Sequence, residues 1–144
     1  PRNPVLVRLL LLAFGALPIA CWIAIAANIE PAGLGRNIGL AILVVLTPLP
    51  FGALLMMLAA ALFGRRPRTA RIAATVGAAI VGVGVAFQAA IWVRRFAQCG
   101  GPSGICTPEL VEALAGLFYA LLHAALIALV WRARATGGMA AADS

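Results

Sequence analysis

The sequence contains little charge and no lysine. Only 10% of its 144 residues are charged and 64% are hydrophobic, against roughly 25% and 45–50% in soluble domains. This composition excludes an ordinary soluble globular fold, because too few polar side chains are present to cover a surface that faces water. We therefore expect an integral membrane protein, for which lipid is the surrounding solvent.

Four long apolar runs make up most of the chain, at 9–27, 38–63, 72–93 and 111–131. A helix needs about 20 apolar residues to cross the hydrocarbon core of a bilayer. The sequence thus predicts a single all-α domain, 1–144, with four transmembrane helices and a tail at 132–144. The second run is longer than a span requires, and Pro48 and Pro50 predict a kink in it. The alternative is a re-entrant hairpin, in which the stretch 47–52 separates two half-helices.

The basic residues, which are all arginine, indicate the orientation. With four spans, eight arginines lie on the side of the two termini and of the loop 64–71, and three lie on the other side. The positive-inside rule then places both termini in the cytoplasm. If the second segment were re-entrant, the arginines would no longer divide eight to three between the two sides of the membrane, so four spans are favoured. Arginine without lysine, together with abundant alanine and glycine, favours a bacterial inner membrane as the location.

The first run also has features of a cleavable signal, with Arg2 before it and the small Ala20 before Cys21. The apolar sequence continues past Cys21, however, and Pro18 stands where a lipoprotein signal prefers leucine. We expect this segment to be a retained membrane anchor.

Small residues recur at every fourth position in the third and fourth runs. Such residues let helices approach closely in lipid, where packing drives helix association. We predict that these two helices pair through these rows of small residues, each of which we call a small-residue seam. The alternatives are that alanine is simply abundant here, or that one seam mediates self-association. The residues predicted to pack are Ala74, Ala78, Gly82, Ala86, Gly116, Ala120 and Ala124.

Cysteine is scarce, and two of the three cysteines, Cys99 and Cys106, share one outer loop. The glycines and proline between them favour turns that bring the sulfurs together. In an oxidising compartment a pair of this kind is usually a structural disulfide, which here would shape a surface for a partner. Thiol–disulfide exchange is the alternative, but the other outer loop, 28–37, offers no second pair. Cys21, within the first span, is expected to be buried and inert.

The single histidine, His123, lies at membrane depth in the fourth run. Helical geometry places Glu112, Gly116, Tyr119 and His123 on one face. Ionisable groups inside a membrane indicate function, so this stripe is a candidate proton path or a contact for quinone or haem. A bis-histidine haem would require a second ligand from a partner. The alternative is a structural hydrogen bond from His123 to a backbone carbonyl or to Tyr119.

A cluster of arginines lies between the second and third runs. It is too short and too close to the bilayer to bind a nucleic-acid duplex, whereas each arginine near anionic lipid contributes roughly 1 kcal/mol of attraction. We predict lipid binding, and no nucleic-acid binding, by Arg65, Arg66, Arg68 and Arg71.

The sequence shows no phosphate-binding glycine loop, no cluster of metal ligands and no nucleophile paired with a base. We therefore expect no catalytic residues, no metal and no resident cofactor, and we expect that the protein is not an enzyme. The leading hypothesis is an accessory or assembly subunit that packs against other membrane subunits of an energy-transducing or transport complex. The alternatives are a small homo-oligomeric transporter or channel, and an electron-transfer or thiol-redox protein.

Overall fold

A computed structural model describes residues 4–29, 37, 40, 47–98 and 107–133, with only the backbone for 107–109. In these parts of the chain the structure has four helices and no strand: α1 (Pro4–Ala27), α2 (Pro48–Leu62), α3 (Pro67–Gln98) and α4 (Thr107–Arg132). The prediction of an all-helical protein is confirmed for the described residues.

Three of the four helices are long and apolar enough to cross a membrane: Pro4–Ala27, Pro67–Gln98 and Leu110–Arg132. The remaining predicted span, the second run at 38–63, is described mainly in its second half, as the 15-residue helix α2. That helix is about 22 Å long at 1.5 Å per residue, which is shorter than a hydrocarbon core of about 30 Å. Pro48 stands in the first turn of α2 after Thr47, where a proline costs no hydrogen bond. The kink and the second span as a whole remain predictions.

The helices extend beyond their apolar runs. Helix α3 has 32 residues and includes arginines at both ends that the run 72–93 leaves out. A charged residue does not end a helix, because its flexible side chain can extend towards water while its backbone stays hydrogen-bonded. Apolar length therefore identifies the membrane-buried part of a helix and underestimates the helix itself.

Consecutive helices are antiparallel neighbours. Helix α3 packs extensively against both α2 and α4, α1 packs mainly against α2, and α1 has only slight contact with α4. The predicted pairing of the third and fourth helices is thus present. The buried core runs through all four helices and includes Leu11, Met56, Val81, His123 and Val130.

Glycines bring the helix backbones together. A Cβ built on Gly15 of α1 would lie 2.9 Å from the carbonyl oxygen of Ala53 in α2, and one on Gly52 of α2 would lie 2.7 Å from the carbonyl oxygen of Gly77 in α3. A Cβ on Gly116 of α4 would lie 3.0 Å from the Cβ of Ala89 in α3. Each of the three main interfaces thus contains a glycine that a larger residue could not replace without movement.

The small-residue seam follows the buried face over only part of its length. Ala74 and Ala78 are buried, and Gly82, Ala86, Gly116 and Ala120 are partly buried, but Ala124 is exposed. A four-residue step overshoots a helical turn by about 40°, so an every-fourth pattern rotates away from a fixed partner. Ala124 therefore lies off the face that packs within this bundle, where Leu126 and Val130 are buried.

Arginines bind helix ends at one end of the bundle. Arg8 Nε donates to the carbonyl of Ala60 in the last turn of α2 (3.0 Å), and an Arg71 terminal nitrogen donates to the carbonyl of Ala133 beyond α4 (2.7 Å). A positive charge beside these carbonyls is favourable because the C-terminus of a helix carries partial negative charge. We call this the arginine-rich end; it holds six of the eight arginines whose side chains the structure describes: Arg8, Arg65, Arg66, Arg68, Arg71 and Arg132.

Candidate functional site

The predicted polar stripe of α4 separates into a buried and an exposed part. His123 is only 1% exposed and is the one polar side chain in the buried core of the described residues. Tyr119, one turn earlier, is half-buried. Glu112 is exposed and lies near the end of the bundle opposite to the arginine-rich end. The structure therefore brings His123 and Tyr119 into ring contact, with Glu112 about two turns before Tyr119 on the same helix.

His123 is held within its own helix. Its Nδ1 lies 2.9 Å from the carbonyl oxygen of Tyr119. A carbonyl can only accept a hydrogen bond, so this contact places a proton on Nδ1 and, in the neutral ring, leaves Nε2 as an acceptor. Nε2 is buried and has no hydrogen-bond partner. This contact corresponds to the structural alternative considered for His123.

Phe14 of α1 completes an aromatic cluster with these two residues. Its ring stacks on Tyr119 with centroids 5.9 Å apart, and it meets His123 edge-on at 5.0 Å. Tyr119 and His123 are also edge-on, at 4.6 Å. Such contacts are worth about 0.5–1.5 kcal/mol each beyond burial, so the cluster is a main link between α1 and α4.

Two adjoining cavities begin beside this cluster, on the side away from the arginine-rich end. The smaller has a volume of about 140 Å³ and the larger about 700 Å³. Leu17 and Cys21 of α1, Leu49 of α2, Val85 of α3 and Tyr119 of α4 line both. The cavities are therefore enclosed by all four helices, in the half of the bundle away from the arginine-rich end.

The smaller cavity has almost entirely apolar walls and two unsatisfied polar atoms in its lining residues. Trp22 and Tyr119 both line it, and the indole Nε1 of Trp22 and the hydroxyl of Tyr119 are buried without hydrogen-bond partners. A buried polar group without a partner costs about 1–3 kcal/mol. The larger cavity adds Gln88 and Glu112 to its lining.

This arrangement fits a lipophilic molecule better than it fits an acid–base or metal site. The described residues contain no group of three or more histidine, cysteine or acidic side chains that could hold a metal ion. Pockets of 300–1,000 Å³ with apolar walls and a few polar atoms are typical of sites for small molecules. The cavities thus form the candidate site of this protein.

The remaining predicted site residues lie elsewhere. Arg65, Arg66 and Arg68 are exposed at the arginine-rich end, while Arg71 is partly buried and bonded to α4. The Arg71 guanidinium also lies 5.9 Å from the centre of the Trp131 ring. Cys99 and Cys106 lie outside the described residues, so their disulfide remains a prediction. Cys21 is free and exposed, so the expectation that it is buried is wrong.

The site includes residues that the sequence analysis did not single out, above all Phe14 and Leu17. One available signal is that Phe14, Leu17, Pro18 and Cys21 follow helical spacing of three and four residues on α1. Nothing in that spacing identifies α4 as the facing helix.

Comparisons with protein-family models, with curated proteins and with solved structures find no match.

Proposed function

We propose that this protein is a non-catalytic accessory or assembly subunit of a larger complex in a bacterial inner membrane, with both termini in the cytoplasm. It acts by packing its helices against other integral-membrane subunits, and its exposed arginines, Arg65, Arg66 and Arg68, contact anionic lipids. The host complex would be one that transduces energy or transports a solute.

The observation that carries this proposal is that the polar side chains of Arg8, Arg71 and Trp131 form hydrogen bonds to neighbouring helices. Arg8 and Arg71 donate to carbonyls of neighbouring helices. Trp131 Nε1 donates to the Thr75 hydroxyl at 2.9 Å, and that hydroxyl donates to the Arg71 carbonyl at 2.8 Å. The Arg8 bond joins α1 to α2, and the Arg71 and Trp131 bonds join α3 to the C-terminal end of α4, so these bonds hold the bundle together.

The outer surface supports the same function. Large apolar side chains are exposed on every described helix, for example Leu9 on α1, Leu54 on α2, Val83 on α3 and Leu121 on α4. Lipid tails and the helices of another membrane protein both fit such surfaces. A rigid bundle with apolar sides and one basic end is what a packing subunit requires.

The test is a comparison of membranes with and without the protein. We expect the tagged chain to migrate in native electrophoresis with a defined set of membrane proteins, and we expect that set to decrease when the chain is deleted. Photo-crosslinkers at Leu9, Leu54, Val83 and Leu121 should form adducts with those proteins from some helix faces only. A chain that migrates alone or as a homo-oligomer, with no other protein depleted, would overturn the proposal and favour a small transporter.

A further inference from the structure

We propose that the two adjoining cavities bind a lipophilic carbonyl compound, meaning a molecule with an apolar chain and one or more uncharged carbonyl oxygens. The ring carbonyls of a membrane quinone and the ester carbonyls of an acyl lipid share this chemistry. The inference concerns a bound small molecule and does not depend on the packing role.

The chemistry of the polar head follows from two unsatisfied donors that belong to residues lining the smaller cavity. The indole N–H of Trp22 can only donate, and the Tyr119 hydroxyl has a proton to donate. Both are buried without partners, and both residues line the same 140 Å³ space. A ligand that satisfies them must present acceptors, which excludes an ammonium group.

An uncharged acceptor fits better than an anionic one. The charged residue in the described lining of the larger cavity is Glu112, whose carboxylate would repel a phosphate or carboxylate. The walls of the smaller cavity are almost wholly apolar, and burial of a charge in such surroundings is costly. A carbonyl oxygen accepts a hydrogen bond without that cost.

The apolar chain of the ligand follows from the larger cavity. Its 700 Å³ adjoins the smaller space through shared lining residues such as Leu17 and Val85. Residues of both α1 and α4 line the cavities, and these two helices have only slight contact with each other. An isoprenyl or acyl chain can therefore enter from within the bilayer and lie between these helices while its head reaches Trp22 and Tyr119.

The experiment uses the intact protein with single tryptophans. The three tryptophans are Trp22, Trp92 and Trp131; Trp22 lines the smaller cavity and Trp131 lies at the arginine-rich end, hydrogen-bonded to Thr75. One protein retains Trp22 alone (W92F, W131F) and its matched control retains Trp131 alone (W22F, W92F). Each is titrated in detergent with a short-chain ubiquinone and, in a separate arm, with a diacyl lipid that carries brominated chains.

We expect saturable quenching of Trp22 in at least one arm and only a linear, unsaturated response of Trp131. Saturation by the quinone alone identifies a ring carbonyl, and saturation by the brominated lipid identifies an acyl ester. A linear response of Trp22 in both arms would overturn the proposal, because it would show that probe dissolved in the micelle merely collides with the indole.

A hydroxyl-deletion variant tests the recognition itself. In the protein that retains Trp22 alone, Tyr119→Phe should raise the half-saturating concentration about threefold to tenfold, as expected for one lost hydrogen bond. Phe118→Leu, at an exposed neighbouring position, should leave it unchanged. Equal half-saturation for Tyr119→Phe and its parent, with helicity retained in both, would contradict carbonyl recognition.

Discussion

Gly52 of α2 and Gly77 of α3 are in direct backbone contact. A Cβ built on Gly52 would lie 2.7 Å from the carbonyl oxygen of Gly77, and one built on Gly77 would lie 2.5 Å from the carbonyl oxygen of Gly52. Real Cβ atoms do not approach carbonyl oxygens this closely, so the spacing of the two helices depends on both residues. Val81 and Met56, both fully buried, flank the contact.

A methyl group at this contact is expected to separate the helices. Gly77→Ala should lower the free energy of unfolding by about 1–3 kcal/mol, the usual cost of overpacking. SDS titration of the protein in mixed micelles, followed by circular dichroism, measures that free energy.

Gly64→Ala is the matched control for this substitution. Gly64 is exposed in the turn between α2 and α3, and the nearest atom to a Cβ there is a terminal nitrogen of Arg8 at 4.0 Å. We expect the control to change stability by less than about 0.5 kcal/mol. If Gly77→Ala were no more destabilising than Gly64→Ala, the glycine contact would not determine how α2 and α3 pack.

The sequence predicted the three helices that are long enough to cross a membrane, because an apolar run of about 20 residues is visible in the sequence directly. It predicted the interfaces less well. The sequence did not predict the contact between Gly52 and Gly77, because the small residues that recur at every fourth position lie in the third and fourth runs, whereas Gly52 lies in the second. The rotation of α2 relative to α3 depends on which two glycines meet, and a single-chain pattern does not contain that information.

The sequence also predicted only part of the candidate site, because the other part depends on how the helices pack. The stripe of Tyr119 and His123 follows from the geometry of one helix, and the structure retains it. Phe14 and Trp22 belong to α1, and their positions opposite α4 depend on tertiary packing between helices far apart in the chain. Burial of the donors Nε1 of Trp22 and the hydroxyl of Tyr119 is likewise a tertiary property.

Arg71 is expected to hold the end of α4, although it was predicted to bind lipid. It donates to the Ala133 carbonyl at 2.7 Å and lies over the Trp131 ring. Arg71→Ala should cost about 1–2 kcal/mol, since hydrogen bonds to charged groups are worth about 1.5–3 kcal/mol when buried and this one is partly exposed. It should also increase amide hydrogen exchange in the last turn of α4.

Arg68→Ala is the control, because it removes an exposed arginine one turn away. We expect it to change neither stability nor hydrogen exchange. Similar effects of the two variants would show that Arg71 has no special structural role.

The structural interpretation of His123 predicts an order of stability among its variants. His123→Phe keeps a ring against Phe14 and Tyr119 and removes the unpartnered Nε2, so it should cost less than about 1.5 kcal/mol. His123→Ala leaves a cavity and should cost about 2–4 kcal/mol. SDS titration compares the two. A His123→Phe variant as unstable as His123→Ala, or one that loses an absorbance band present in the purified parent protein, would favour a cofactor role instead.

The disulfide between Cys99 and Cys106 is testable by counting thiols. The chain has three cysteines, and Cys21 is free in the structure. Membranes are denatured in SDS with a mass-tagged maleimide present, before or after reduction. We expect one tag without reduction and three after it, with Cys21 as the internal standard. Three tags in the unreduced sample would show that the loop cysteines are thiols in the native membrane.

The orientation can be tested at the two ends of α3 and at the adjoining turn. Gly64, beside the start of α3, belongs to the arginine-rich end, whereas Gln98 ends the helix at the opposite side of the bundle. Because arginines are retained in the cytoplasm, we expect Gly64→Cys to react with a membrane-impermeant maleimide only after the cells are broken. In the same background, with the native cysteines replaced by serine, Gln98→Cys should react in intact cells. The opposite pattern would show that the orientation of the bundle is the reverse of the predicted one. The cavities beside Tyr119 would then lie in the inner leaflet, and their ligand would have to come from the cytoplasmic side.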